Sequence, residues 1–225
     1  VEGIGTLVRV AVWVVPVLLA ITVHEVAHGW VALLRGDRTA QMLGRLTLNP
    51  LRHIDPIGTV VVPALLLMVG GLILGWAKPV PVTVANLHRP RRDMALVAIA
   101  GPASNLVMAI LWALIARAGV AGLEGAHGLG LGALYMGLAG VVINLVLMLV
   151  NLIPIPPLDG GRVLVSLLPP PIAARIARIE PFGLLLVLVL LASGWLGRLL
   201  GPALDGMLGL LGALAGVPAG VFGRI

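Results

Sequence analysis

Cysteine is absent from the 225 residues. Its absence excludes disulfides, thiolate metal sites and cysteine nucleophiles. Charge is scarce too, at 11% of residues against about 25% in an ordinary soluble domain. With 60% apolar residues and a mean hydropathy of +1.11, the chain reads as an integral membrane protein. Soluble enzyme, secreted disulfide scaffold and disordered tail are excluded together. Acids are few, nine against 15 basic residues, for a net charge of +6. In a membrane protein that excess reads as a topology signal and a contact with anionic lipid, and not as nucleic-acid binding.

A spanning helix needs about 20 mostly apolar residues. Thr6–Leu34 qualifies but carries Arg9, His24, Glu25 and His28. It is too polar within, and too long, for a cleaved signal peptide. Ile57–Ala77 is an apolar run broken by Pro63 and Gly70-Gly71. Met94–Arg117 carries Gly101-Pro102-Ala103-Ser104-Asn105, and Leu131–Ile153 carries Asn144 and Asn151. Leu184–Leu204 reads as a further span despite Arg198. Gly206–Phe222 is Gly-rich and reads as an interfacial segment or short hairpin. Asp205 before it is expected to cap a helix or pair with Arg198.

The connections differ in charge. Arg35–Pro56 holds four Arg, Lys78–Asp93 four basic residues, and Gly160–Phe182 three Arg. Ala118–Gly130 holds only Glu124. The positive-inside rule makes the first three cytoplasmic and the last external. Gln41–Leu48 and Val80–Leu87 favour extended chain and are expected to pair as a small sheet at the membrane surface. The expected fold is an all-α polytopic membrane protein of roughly 4–6 transmembrane segments, with that β element. The chain reads as one domain over 1–225, with a catalytic core at about 7–168 and a C-terminal span and apolar tail at about 184–225.

The chemistry starts at His24-Glu25-Val26-Ala27-His28. Residues i and i+4 on a helix stand about 40° apart and one turn apart in height. Both imidazoles reach one point, as two ligands of a tetrahedral Zn²⁺. Glu25 sits beside that point. There it suits a base that takes a proton from the attacking water and returns it to the leaving amine. Ionisable groups within apolar segments are costly, which favours function over a chance pair of interior histidines.

Two histidines leave a zinc site one protein ligand short. Asp159 stands apart from the loop acids, at the end of Asn151-Leu-Ile-Pro-Ile-Pro-Pro-Leu-Asp159-Gly-Gly-Arg162. Its prolines forbid a regular helix. Extended chain within a membrane protein is tolerated only when buried or lining a polar cavity. Gly160 and Gly161 are read as letting the backbone turn tightly behind the carboxylate. Asp159 reads either as the third ligand or as the N-cap of a following helix, and the two roles are compatible.

HEVAH in an apolar helix followed by NLIPIPPLDGGR resembles the site-2 proteases, the intramembrane zinc metallopeptidases. GRLTLNPLRHIDPIGT, GWAKPVPV and AGPASN resemble its compact prokaryotic branch. The resemblance covers about Val17–Leu168. It implies one zinc per chain held by His24, His28 and Asp159, with Glu25 as catalytic base. It implies cleavage of a peptide bond in or near the transmembrane segment of a membrane-protein substrate. It also makes Asn151 a residue that binds substrate or its oxyanion. No PDZ-like insertion or nucleotide-sensing domain is found, so regulation that depends on such domains does not carry over.

Two residues stay open. Asn105 reads as a helix-packing polar group or as a partner of the broken segment near the site. His53 reads as a loop histidine near lipid headgroups, or as a gate or extra ligand. The function expected is intramembrane proteolysis in the cell membrane, with the site toward the cytoplasm. A metal-ion transporter and a non-catalytic membrane adaptor are the alternatives. A transporter ordinarily shows paired repeats, which are missing, and the intact HEVAH disfavours an adaptor. Oligomeric state is not legible. Crossing number adds one expectation. If Ile57–Ala77 fully spanned, Asp159 would fall on the far side from the histidines, so that stretch is expected to be re-entrant.

Overall fold

The structure is a computed structural model that describes residues 6–56, 58, 78–123 and 127–224. Its helices are α1 (Thr6–Leu34), α2 (Thr39–Met42), α3 (Pro90–Ala121), α4 (His127–Asn151), α5 (Asp159–Leu167), α6 (Pro170–Ala177), α7 (Glu180–Ala192) and α8 (Trp195–Ala215). Four stretches are long and apolar enough to cross a membrane: Val12–Leu34, Pro90–Ala121, Gly128–Asn151 and Trp195–Ala215. The protein is therefore an all-α polytopic membrane protein. The re-entrant stretch expected at 57–77 lies, apart from Gly58, outside the described residues. Its described flanks meet, since Lys78 N–H donates to the His53 carbonyl at 2.9 Å.

Helix α3 organises the bundle. Pro90 suits the first helical position, where an N–H has no partner anyway. The buried Asp93 carboxylate accepts the Arg89 N–H at 2.7 Å and closes that end. Along α1, His28 meets Val97 and Ala20 meets Asn105, so α1 and α3 run antiparallel. Along α4, Gly137 lies against Ala116, Gly140 against Trp112 and Asn144 against Asn105, so α4 runs antiparallel to α3 as well. Lipid tails are as apolar as leucine, so helices in a bilayer gain their contact from close packing. Here Ala109, Ala113 and Ala116 of α3 are fully buried. A Cβ at Gly119, Gly137 or Gly140 would strike Leu134, Ala116 or the Trp112 ring. Leu138, Val141 and Leu145 complete this core, and Leu204, Leu208 and Leu211 of α8 pack on it. The end of α4 thus returns to the level of the histidines.

Three expectations need correction. Among the described residues there is no strand. Gln41 and Met42 are helical, and Val84–Asn86 is a 3₁₀ turn. The backbone donors of the second stretch go to carboxylates instead of a ladder. Val80 N–H donates to Glu25 Oε2 and Thr83 N–H to Asp37 Oδ2, each at 2.7 Å. Asp37 is fully buried in the loop after α1 and also accepts from Thr39 and Asn86. Burial alone would raise its carboxyl; these four donors more than offset that and hold it below its ordinary range.

Second, Leu184–Leu204 is not one span. Helix α7 stops at Ala192, and Gly194 adopts a left-handed φ of +73° that glycine takes without steric cost. Residues 206–215 are the second half of α8, and the chain beyond Gly216 forms a short 3₁₀ turn over Ala219–Arg224. Third, Asp205 sits mid-helix and exposed and caps nothing, while Arg198 lies over the Trp195 ring at 6.0 Å.

Candidate metal centre

Three elements converge. Helix α1 brings His24 and His28 to one face, and their rings meet edge-on with centroids 4.6 Å apart. Helix α5 brings Asp159 at its first residue. The His24 and His28 Nε2 atoms are 3.0 Å apart, and Asp159 Oδ2 lies 3.1 Å from one and 3.2 Å from the other. All three residues are 5–7% exposed. Among the described residues this is the cluster of His, Asp and Glu able to hold a metal ion.

The protons show what the cluster lacks. His24 Nδ1 lies 2.6 Å from Asn105 Oδ1, and His28 Nδ1 lies 2.7 Å from the Val97 carbonyl. Both partners can only accept, so both Nδ1 atoms carry the hydrogen and both Nε2 atoms present lone pairs. Asp159 Oδ2 faces them, buried and without a hydrogen-bond donor. Three electron-rich atoms thus point at one another. A cation resolves that repulsion. Zinc bonds of about 2.05 Å give a tetrahedron with edges of about 3.3 Å, close to the separations seen. The donor set and its outer hydrogen bonds fit zinc.

Glycine sets the approach of α3. A Cβ at Gly101 would lie 2.6 Å from His24 Cε1 and strike the His28 ring. Ser104 Oγ donates to the Gly101 carbonyl at 2.7 Å, and Asn105 follows one residue on. Gly160 and Gly161 are helical, with no positive φ. They admit the Leu152–Pro156 backbone against α5, where a Cβ would strike Leu152 and Pro156. The tight turn expected behind the carboxylate is therefore a close approach. Asp159 is also no N-cap: Leu158 holds that position and makes no side-chain cap.

The other expected residues fall as follows. Glu25 is half-buried, beside the histidines in sequence, with Oε2 held by Val80 N–H. Asn105 is fully buried and bonds His24 directly, so it is more than packing and contacts no part of the broken segment in its hydrogen bonds. Asn151 ends α4 and donates to its own helix at the Leu147 carbonyl, 2.9 Å. His53 follows the Pro50–Arg52 turn and is 2% exposed, so it is a loop histidine but a buried one. Its Nε2 lies 2.9 Å from the Thr47 carbonyl, and it is not part of the metal cluster. Sequence reasoning missed Val97, whose role is a backbone carbonyl, and Val80, whose role is a backbone N–H. Neither leaves a trace in residue type.

Three relatives are similar to this chain over most of its length. A Bacillus subtilis (strain 168) protein, "Putative zinc metalloprotease YwhC", is 39% identical over 193 residues, 85% of each chain. A Mycolicibacterium smegmatis protein, "Putative zinc metalloprotease Rip2", is 32% identical over 183 residues, 80% of this chain and 66% of that one. The Rip2 of Mycobacterium tuberculosis (strain H37Rv) is 31% identical over 79% of this chain and 67% of its own. No family model and no solved structure matches the chain. A bundle of membrane-length helices with a buried His₂Asp cluster defines the class as a membrane protein with a candidate metal site. The chain belongs to the zinc metalloprotease family of which YwhC and Rip2 are members. Of the functions left open by the sequence, these relatives support the metalloprotease.

Proposed function

We propose that this protein is an intramembrane metalloprotease of the site-2 type, cleaving peptide bonds in or near the transmembrane segments of membrane proteins. One observation carries the reading. The His24–His28–Asp159 cluster lies inside a bundle of membrane-length helices, with His28 six residues, about 9 Å of helix, before the end of α1. His24, His28 and Asp159 would hold one zinc per chain, which when bound supplies Lewis-acid polarisation of the scissile carbonyl and acidifies water.

The chain's own residues do the rest. Glu25 takes a proton from the attacking water on its carboxylate and delivers it to the leaving nitrogen. Val80 N–H fixes one carboxylate oxygen of Glu25, which leaves the other for that exchange. A helical substrate has its amides paired internally, so it must unwind before its carbonyl is accessible. The broken Leu152–Leu158 stretch leading to Asp159 offers backbone to hold an unwound segment. Asn151 has one amide hydrogen on Leu147 and a second with which to donate to a developing oxyanion. Asn151→Ala should cut kcat while leaving zinc bound.

Arg35, Arg45, Lys78 and Arg89 stand on the connections, and Arg91 in the first turn of α3, at the end of the bundle where α1 finishes and α3 begins. That charge supports a cytoplasmic mouth in the cell membrane. The test is cleavage of transmembrane reporter substrates by the purified protein, with His24→Ala as control. Hydrolysis that persists in the variant would end the proposal. For orientation, single cysteines placed at Arg45 and Pro79 in this cysteine-free chain should resist an impermeant thiol reagent added outside the cell. Labelling from outside would overturn the cytoplasmic placement.

A further inference from the structure

The two histidines are oriented by different means. His28 reaches a backbone carbonyl, that of Val97, in one hydrogen bond. His24 reaches carbonyls only through Asn105, that of Ala20 in two hydrogen bonds and that of Gly140 in three. Its Nδ1–H donates to Asn105 Oδ1 at 2.6 Å. Asn105 Nδ2 donates to Asn144 Oδ1 at 2.9 Å, and Asn144 Nδ2 donates to the Gly140 carbonyl at 2.8 Å. Asn105 Nδ2 also lies 3.3 Å from the Ala20 carbonyl. Both asparagines are fully buried, midway along helices α3 and α4.

The direction of this chain is forced from its far end. A peptide carbonyl cannot donate, so Asn144 must turn its amide nitrogen toward Gly140. Its oxygen then faces Asn105 and can only accept. Asn105 therefore turns its nitrogen toward Asn144 and Ala20, and its oxygen toward His24. His24 must carry its hydrogen on Nδ1 and offer the Nε2 lone pair to the centre. A flipped Asn105 would do the reverse. It would donate to Nδ1, shift the hydrogen to Nε2 and block the metal-binding atom.

We propose that Asn144 is a positioning residue of the zinc site: anchored on the Gly140 carbonyl, it fixes the Asn105 amide and through it the His24 tautomer that binds metal. This rests on reading the His₂Asp cluster as a zinc site. It adds that a residue touching neither metal nor ligand sets the metal affinity, across the α3–α4 interface. Outer-shell partners of metal ligands typically control affinity by about 10- to 100-fold.

The experiment measures Zn²⁺ affinity by chelator competition, and the visible spectrum with Co²⁺, on detergent-purified wild type and four variants. Asn144→Leu keeps the volume but removes the acceptor, and should weaken Zn²⁺ binding about tenfold and alter the Co²⁺ spectrum. Asn105→Leu should weaken it further. Asn144→Asp, neutral when buried without a cation, donates its O–H to the Gly140 carbonyl and accepts from Asn105, and should bind close to wild type. Leu145→Ala, a fully buried neighbour in the same interface, should lower the melting temperature without moving either metal readout. Wild-type affinity and spectrum in Asn144→Leu would overturn the positioning role, as would equal losses in Asn144→Leu and Leu145→Ala. A wild-type protein that binds neither ion would overturn the zinc reading itself, a separate result.

Discussion

Glycine does opposite work in two regions of this molecule. In the α1–α3–α4 bundle, a methyl group at Gly101, Gly119, Gly137 or Gly140 would collide with a histidine, a backbone or the Trp112 ring. In α8, one at Gly197, Gly201, Gly206 or Gly209 would meet nothing within 4 Å. The membrane-length window of α4 is 44% buried in the protein and that of α8 only 11%. The first region is built on close approach, because it must bring two histidines, an aspartate and their asparagine supports to one point. The second lies against that core along one side and leaves the rest to lipid.

The contrast is sharpest at the site. Glu25→Gln lies in the tight region but removes a proton acceptor and no packing. Turnover of a transmembrane reporter should fall by about 10²- to 10⁴-fold, with thermal stability unchanged. Next in size is Gly101→Ala, whose added carbon displaces both imidazoles. Zinc affinity by competition should drop at least about tenfold, and wild-type affinity would show that α3 yields easily there. Gly140→Ala overpacks the Trp112 contact and should cost about 1–3 kcal/mol in denaturant unfolding. The matching change in α8, Gly206→Ala, should stabilise by about 0.5–1 kcal/mol, since a helix interior favours alanine over glycine. A loss at Gly206 as large as that at Gly140 would erase the distinction between the regions.

A separate effect lies outside the bundle, at Asp37. Its folded pKa is lowered, so its stabilising contribution is complete above its unfolded value near 3.8 and drains as pH falls through the lower folded value. Stability should decline below about pH 4. Asp37→Asn should flatten that part of the profile and cost about 1–3 kcal/mol at neutral pH, read by unfolding at a series of pH values.

What could be read in advance follows the same division. HEVAH was legible because i, i+4 spacing fixes geometry within one helix. Asp159 was legible as an acid stranded among prolines. Parity required Asp159 to return to the histidines' end, and the antiparallel packing of α1, α3 and α4 brings it there. Asn105 could be singled out as polar in an apolar span, but its partner could not, because a hydrogen bond over 81 residues of sequence has no local signature. Asn144 carried the same polar signal and no role was read from it. The small sheet was misread because extended chain pairs with whatever accepts its N–H groups, and here Glu25 and Asp37 stand nearer than another strand. The division of the last spans was misread because Leu184–Leu204 is long enough for one span by composition, whereas the left-handed turn at Gly194 divides it.

The central claim is that His24, His28 and Asp159 form a single zinc site served by, but not including, Glu25. Elemental analysis of detergent-purified wild type, Glu25→Gln and Asp159→Ala tests it most directly. The account predicts one zinc per chain in the first two and close to none in the third. A full zinc complement in Asp159→Ala, or its loss in Glu25→Gln, would contradict it.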